Sequence, residues 1–285
     1  MKITAIVVLY NDNTEEAAND IWMIARQVDK VYLVDNSSDD YSVCFGHITN
    51  AVYLPQYQNK GIAAAQNIGL KAAIDDKADF VLFADPDTEI KPRAVDQLLN
   101  TFNKLERHQY FAGGIGSIAR NKKTQQPYPL RSNLLQEIPE MDVKEVTYTM
   151  NSISLYPTRL FQEVGYMDEK LFIDGVDSEF CWRATARKGV RFFLDNHVII
   201  DHMLGMGTQT IGGKERSITP PFRMYYQYRN FLWLARMPYT PKKWLCENGW
   251  RYLVKMIYYP LFKSPRSAYI KYIAKGIKDG IKNRT

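Results

Sequence analysis

The stretch FADPDTEI, residues 83–90, sets two carboxylates, Asp85 and Asp87, two positions apart directly after an apolar run. Asp-Pro is ordinary turn chemistry. Two acids at the end of a buried strand are also how a chain holds a divalent cation against a diphosphate. The elements before and after this stretch decide between the two. ITAIVVLY (3–10) is a continuous β-branched run and ends in Tyr10-Asn11-Asp12. KVYLVDN (30–36) ends in Asp35-Asn36-Ser37, and FVLFAD (80–85) ends in Asp85-Pro86-Asp87. All three read as strands buried on both faces.

Helical patterns alternate with these strands. Asn13 and Glu16 fit a capping box opening a helix to about Val28. KGIAAAQNIGLKAAIDD (60–76) is helical, with small residues suited to close packing on a sheet. PRAVDQLLNTFNKL (92–105) follows with Pro92 at its first position, so neither Asp85 nor Asp87 is needed as its cap. VYLP (52–55) is a short additional strand. This βαβ rhythm predicts an α/β fold with a mostly parallel central sheet flanked by helices. Ligands of such sheets bind beyond the carboxyl ends of the strands, so the three polar strand ends are expected along one edge.

In the second half, VTYTMNSISLYP (146–157) reads as a strand, and a helix from about Arg159 ends before Gly165. DSEFCWRATARKG (177–189) reads as a helix with Asp177 at its N-cap and Gly189 past its end. VRFFLDN and HVIIDHM read as two strands, and residues 208–221 as a polar, glycine-containing loop. From Pro221 onward the chain reads as helices. Trp250, Leu253, Val254, Ile257, Tyr258 and Leu261 follow helical spacing, as do Ile270, Ile273, Ile277 and Ile281.

Composition narrows the classes. The 285 residues are 46% hydrophobic and 24% charged, an ordinary globular balance. The three cysteines, Cys44, Cys181 and Cys246, are far apart, which fits neither a disulfide framework nor a zinc site and favours a reducing compartment. The N-terminus lacks the pattern of a signal peptide, and no window suits a transmembrane helix. The net charge of +6 is unevenly spread. Residues 220–285 carry fourteen Lys and Arg against two Asp and Glu, together with 15 of the 37 aromatic residues. A basic, aromatic tail on an acidic body points to an anionic surface as partner. No GxGxxG or GxxxxGK[ST] follows a strand, and there is no GxSxG. Dehydrogenase, P-loop and hydrolase readings thereby lose their main support.

The ordered set VVLYN (7–11), VDNSS (34–38), NKGIAAAQNIG (59–69), DPD (85–87), GYMDEKLFIDGVDSEFCWRA (165–184) and PPFRMYYQYRN (220–230) resembles the inverting family-2 glycosyltransferases. Within that family it is similar to the bacterial rhamnosyl- and galactofuranosyltransferase subgroup. The resemblance implies a GT-A fold, with a catalytic domain over 1–219 and a basic helical extension over 220–285. The nucleotide-sugar half would span about 1–110 and the acceptor half about 111–219. Tyr10, Asn11, Asp35, Asn59, Gly61, Asn67 and Asp85 are implied as donor contacts. Asp87, with Asp85 and His202, is implied to hold Mg²⁺ or Mn²⁺ on the diphosphate, where negative charge grows as the leaving group departs. Asp177 is implied as the general base, with Asp174 the next candidate. Where galactofuranosyl relatives carry two adjacent acids, this chain has Val176 before Asp177. Trp182, Arg183, Arg223, Tyr226 and Arg229 are candidates for acceptor or diphosphate contact.

The implied reaction is transfer from dTDP-L-rhamnose onto a hydroxyl of a growing surface polysaccharide or lipid-linked glycan. UDP-galactofuranose is the alternative donor, and a non-catalytic glycan- or transferase-binding partner is the alternative of another class. The location expected is cytoplasmic, peripheral on the membrane through the C-terminal helices. No nucleic-acid partner is expected, and an oligomer is compatible with the sequence.

Overall fold

The computed structural model describes residues 1–122, 124–202, 208–211, 214–217 and 219–282. For residues 202, 208–211 and 214–217 only the backbone is described. Two compact units divide the chain: Met1–Phe172 with Val176–His202, and Ile173–Gly175 with Met203–Thr285.

The first unit opens as the alternation predicts. β1 (Ile3–Leu9), α1 (Glu15–Ala25), β2 (Lys30–Asp35), α2 (Ser42–Phe45), β3 (Ala51–Pro55), α3 (Ile62–Asp75), β4 (Phe80–Ala84) and α4 (Ala94–Arg107) follow in order. β5 (Ala112–Asn121), β6 (Leu134–Ile138), β7 (Val143–Val146), β8 (Ser154–Pro157), α5 (Thr158–Val164), α6 (Val176–Lys188) and β9 (Arg191–His202) complete it. One nine-stranded sheet runs β3-β2-β1-β4-β8-β5-β9-β7-β6. β3, β2, β1 and β4 are mutually parallel, and β8 enters antiparallel to both β4 and β5. Leu9 lies opposite Asp35, Asp35 opposite Pro55, and Val7 opposite Ala84. That register brings the three polar strand ends to one edge.

The strand interiors explain why this pairing holds. Ala5, Val7, Leu9, Leu33 and Leu82 are fully buried in one core, and each large apolar side chain removed from water contributes about 1.5–3 kcal/mol. The small residues of α3 do what their size suggests. A Cβ on Gly69 would meet Ile6 Cγ2 at 2.5 Å, so this helix lies closer to β1 than any larger residue allows.

Several boundaries differ from the sequence reading. Thr14, not Asn13, caps α1, its hydroxyl accepting from Ala17 N at 3.1 Å. Pro92 lies ahead of α4, which begins after Arg93 in a left-handed conformation (φ 65°). Residues 146–157 are not one strand: β7 ends at Val146 and β8 begins at Ser154, with a buried polar crossing between them. β9 is one continuous strand rather than two, with an irregular register where Ser117 and Ile118 face it. α6 begins at Val176, so Asp177 is in its first turn and not its cap. Glycines at both of its ends, Gly175 (φ 88°) and Gly189 (φ 67°), take up conformations that side chains oppose.

The second unit contains α7 (Pro221–Leu234), α8 (Lys242–Phe262) and α9 (Arg266–Ile281). Within 208–221, β10 (Thr208–Ile211) and β11 (Lys214–Ser217) form an antiparallel pair where the sequence suggested a loop. α9 lies tightly on α7. A Cβ on Gly276 would meet Tyr225 O at 2.5 Å, and one on Gly280 would meet Leu232 and Arg229. Arg236 donates to the carbonyls of Gly280 and Ile281, satisfying orphan acceptors at the α9 C-terminus where a cation is favoured. Gly276→Ala is therefore expected to destabilise the protein by about 1–3 kcal/mol despite the better helix propensity of alanine, as measured by thermal or urea unfolding.

Candidate active site

Three parallel strand ends assemble the acidic edge. At the end of β1, Asp12 Oδ2 accepts from Tyr10 N at 2.7 Å, while Asn11, in a left-handed conformation (φ 58°), donates its N–H to Ser37 Oγ at 2.7 Å. The β1 and β2 ends are thus tied directly. Asp35 is only 1% exposed. Its Oδ1 accepts from Ser37 N at 2.8 Å and from the Ser37 hydroxyl, and its Oδ2 accepts from the Tyr53 hydroxyl. Burial and this bond to Asp35 push the Tyr53 phenol well above its ordinary range. Asp35 thus sits beneath the edge and orients Ser37 and Tyr53.

Asp85 is half-buried and accepts from the Ser152 hydroxyl, whereas Asp87 is exposed. Asp12 feels this concentration of charge. Burial first, then the charges of Asp87 and Asp35, raise its carboxyl above the usual range, against the lowering effect of its bond from Tyr10 N. Asp20 is raised by burial and by Glu16, Glu89 and Asp87, with Lys122 opposing. The chemistry of this donor set fits a hard divalent cation, because hard oxygens and excess negative charge meet at one exposed carboxylate. Asp85 and Asp87 would hold it. The backbone of Glu89 bridges that of Asp201, so the loop after Asp87 runs beside the end of β9, where His202 lies. The His202 side chain lies outside the described residues. Among the described residues, no three His, Cys, Asp or Glu side chains are already gathered as a metal cluster.

The crossing between β7 and β8 joins the acidic edge to α6. Asn151 N donates to Asp177 Oδ2 at 3.1 Å, while the next residue, Ser152, donates to Asp85. Consecutive Cα atoms are only about 3.8 Å apart, so two adjacent residues connect the two candidate acids. The crossing is itself pinned. Thr149 Oγ1 and the Tyr156 hydroxyl share a 2.6 Å bond, Tyr156 donates to Asn151 Oδ1 at 3.0 Å, and Ser117 donates to Ser152 O at 3.1 Å. Asn151 Nδ2 is buried without a hydrogen-bond partner. Sequence reasoning missed Asn151, Ser152, Ser37 and Tyr53. The signal available was a polar Thr-Met-Asn-Ser break within an otherwise strand-like run. Cys181, one turn beyond Asp177, is fully buried; burial, with the Asp177 charge adding to it, pushes its thiol up to about 12. That excludes it as a nucleophile at neutral pH.

Other expected site residues have structural jobs. Asn59 is exposed, and its Oδ1 accepts from Gly61 N at 2.9 Å. Gly61 (φ 84°) packs under Phe172, whose ring a Cβ would meet at 2.5 Å. Asn67 is not a donor contact. It is buried, both of its amide hydrogens go to Met167 O and Glu169 Oε1, and its Oδ1 accepts from Met167 N. It straps α3 to the turn after Gly165. Trp182 and Arg183 are buried rather than facing an acceptor. Arg183 makes a fork with Glu179 at 2.8 and 3.0 Å and donates to the carbonyls of Val164 and Tyr166.

In the second unit, Arg223 makes a bidentate pair with Asp174, with bonds of 2.9 to 3.1 Å. Asn230 donates to the carbonyls of Ile173 and Asp174. These bonds commit the Asp174 carboxylate to a guanidinium, which argues against it as the base. Arg229 is buried among the rings of Tyr225, Tyr226 and Trp233, at 5.2, 5.0 and 4.4 Å, a packing role.

Residues 4–165 match the family model for glycosyl transferase family 2. The chain belongs to this family. It is 27% identical to the dTDP-rhamnosyl transferase RfbF of Shigella flexneri over 99% of this chain and 96% of the relative. It is 23% identical to the low-salt glycan biosynthesis hexosyltransferase Agl10 of Haloferax volcanii over 98% of this chain and 91% of that protein. Among solved structures it is similar to residues 1–349 of S. aureus TarS in complex with UDP-GlcNAc. The TM-score there is 0.59 at 17% identity, over 98% of this chain and 81% of that one. GalNAc-T7 with UDP, GalNAc and Mn²⁺ matches at a TM-score of 0.55 and 12% identity, over 92% of this chain and 57% of that one. The fold is GT-A, and the enzyme is a nucleotide-sugar-dependent glycosyltransferase.

Two outcomes follow from this geometry. Arg183→Ala is expected to cost about 3–5 kcal/mol of stability, because it removes the guanidinium that forks onto the buried Glu179 carboxylate; denaturant unfolding measures this. Ser152→Ala should leave the melting temperature within a few degrees but lower kcat/KM by about tenfold through loss of one bond to Asp85, as steady-state kinetics would show.

Proposed function

We propose that this family-2 enzyme transfers L-rhamnose from dTDP-L-rhamnose, with inversion, to a hydroxyl of a growing surface or lipid-linked glycan. The observation carrying the chemistry is the joining of Asp177 to the acidic edge through Asn151 and Ser152. The donor assignment is supported by the nearly full-length similarity to a dTDP-rhamnosyl transferase.

In this reading the nucleotide lies along the ends of β1 and β2, with the exposed Tyr10 and Asn11 at its surface and the buried Asp35 holding Ser37 and Tyr53 in place beneath them. Asp85 and Asp87, with His202 as a further candidate, would hold Mg²⁺ or Mn²⁺, which when bound would offset the charge developing on the leaving diphosphate. Asp177 accepts the proton of the acceptor hydroxyl as that oxygen bonds to the anomeric carbon from the face opposite the departing phosphate. In the first turn of α6, the backbone N–H groups favour Asp177 ionised. The Asn151 N–H fixes its orientation. Attack and departure on opposite faces give inversion. Peripheral attachment to a membrane brings the enzyme to a lipid-linked acceptor, supported by the basic, aromatic C-terminal segment. Among the described residues no helix is long and apolar enough to cross a bilayer.

A donor panel with Mg²⁺ or Mn²⁺ tests the assignment by nucleotide release and product linkage. dTDP-L-rhamnose is expected to support turnover above UDP-galactofuranose and UDP-GlcNAc; turnover with UDP-galactofuranose alone would replace the donor. Chelation of the metal should abolish transfer. Asp177→Asn should reduce kcat by about 10²–10⁴ while donor binding by calorimetry stays unchanged. Asp87→Ala should weaken metal-dependent donor binding, and unchanged binding would remove it from the metal site.

A further inference from the structure

α8 has its polarity reversed. The side facing the rest of its unit carries Trp244, Asn248, Tyr252, Lys255 and Tyr259. Of these, Trp244, Asn248 and Tyr259 are buried, and the backbone carbonyl of Tyr252 accepts from the Tyr228 hydroxyl at 2.6 Å. The opposite side carries Trp250, Leu253, Val254, Ile257 and Leu261. Their spacing of i, i+3, i+4, i+7 and i+11 puts them in one stripe. Trp250 is 70% exposed and Ile257 61%, and Phe262, 68% exposed, follows at the helix end. A helix of a water-facing unit ordinarily buries such a stripe. A contiguous apolar face turned outward marks an interaction surface.

The charges around the stripe identify what covers it. Lys242 and Lys243 precede it on exposed positions, Arg251 flanks it, and Lys263 and Arg266 follow. Residues 242–266 hold six basic side chains and one acid, Glu247. A second copy seated on this face would bring like charges together. An anionic lipid surface supplies the complement: acyl chains for the stripe and headgroups for the basic ends. α8 is not apolar enough to cross a bilayer, which leaves it lying in the interface with tryptophan at headgroup level. We propose that the Trp250–Phe262 face of α8 docks this enzyme on an anionic membrane surface. This sharpens the peripheral-attachment reading above and rests on it only for the benefit of reaching a lipid-linked acceptor.

α9 is a packed helix of this unit and not a dispensable tail. Tyr269 and Ile273 of α9 are buried, and its glycines lie against α7. Removing residues 264–285 would strip a packed helix, so loss of binding after that deletion would report unfolding. Point variants on exposed α8 positions avoid this. Co-sedimentation should use the full chain with phosphatidylcholine vesicles with and without phosphatidylglycerol. The wild type is expected on the phosphatidylglycerol-containing vesicles, with a blue shift of tryptophan emission. Trp250→Gln with Ile257→Gln should lower the binding constant by about tenfold or more. Lys242→Glu with Lys243→Glu should lower it about fivefold or more on phosphatidylglycerol vesicles and leave binding to pure phosphatidylcholine unchanged. Circular dichroism and turnover on a soluble acceptor should match the wild type in both variants.

Failure of the wild type to sediment overturns the inference, as does unchanged binding by the apolar variant. So does a dimer in solution that this variant dissociates, which would make the stripe a self-association surface. Turnover without vesicle binding sinks this inference alone. Vesicle binding without turnover on any donor sinks the proposed reaction and leaves the membrane surface standing.

Discussion

The parallel register of β2, β1 and β4 is the constraint on which the rest depends. Strands that run the same way end on the same edge, so their terminal acids cannot avoid one another. The upward shift of Asp12 under burial and the charges of Asp87 and Asp35 records the cost. The fold meets part of that cost internally. Asp35 is buried with Ser37 and Tyr53 as donors, and Asp85 is held by Ser152. Asp87 remains exposed at the surface of the cluster. Carboxylates gathered at an open edge suit the divalent cation and diphosphate of the proposed reaction. In that proposal the cation would offset the repulsion between the diphosphate and the acids.

A second dependence runs through the crossing between β7 and β8. A continuous strand there would have kept its backbone groups in the ladder. The break frees Asn151 N for Asp177 and turns the Ser152 hydroxyl to Asp85. Tyr156, itself fully buried, holds the crossing from below by donating to Asn151. The candidate proton acceptor and the candidate donor contact therefore share one rigid connection. Displacing the crossing by an ångström disturbs both, and geometry of this kind is worth orders of magnitude in rate.

The second unit follows a different balance. α7 and α9 approach through glycine, with Arg236 closing the end of α9. α8 offers them polar and aromatic groups and turns its aliphatic face outward. Two candidates for ligand contact, Arg223 and Arg229, are instead consumed in holding Asp174 and in stacking with aromatic rings. Arginine is common in such roles because its planar, weakly hydrated head pairs and stacks without a large desolvation penalty.

Local pattern determined a good deal. The β-branched runs, their polar ends and the alternation with helices were enough to bring Asp12, Asp35, Asp85 and Asp87 to one edge, because chain direction in a βαβ unit dictates where strands end. The ordered motifs were enough for the family and the GT-A fold. Helical spacing alone found the α8 stripe. What spacing cannot encode is which side of a helix meets its neighbours, and only packing decided that the stripe faces outward. Asn67 and Arg183 looked like ligand contacts because polar residues in a motif read alike whether they bind substrate or strap elements together. Asn67's partner, the Met167 backbone, lies 100 residues away and only the fold makes it visible; Glu179 stands one helical turn from Arg183, and what packing alone shows is that this pair is buried. The same holds for Asn151 and Ser152, whose significance rests on hydrogen bonds across 26 and 67 residues of chain. A sequence states side-chain chemistry and local periodicity; long-range partners, and hence whether a polar group is spent or available, are settled by tertiary packing.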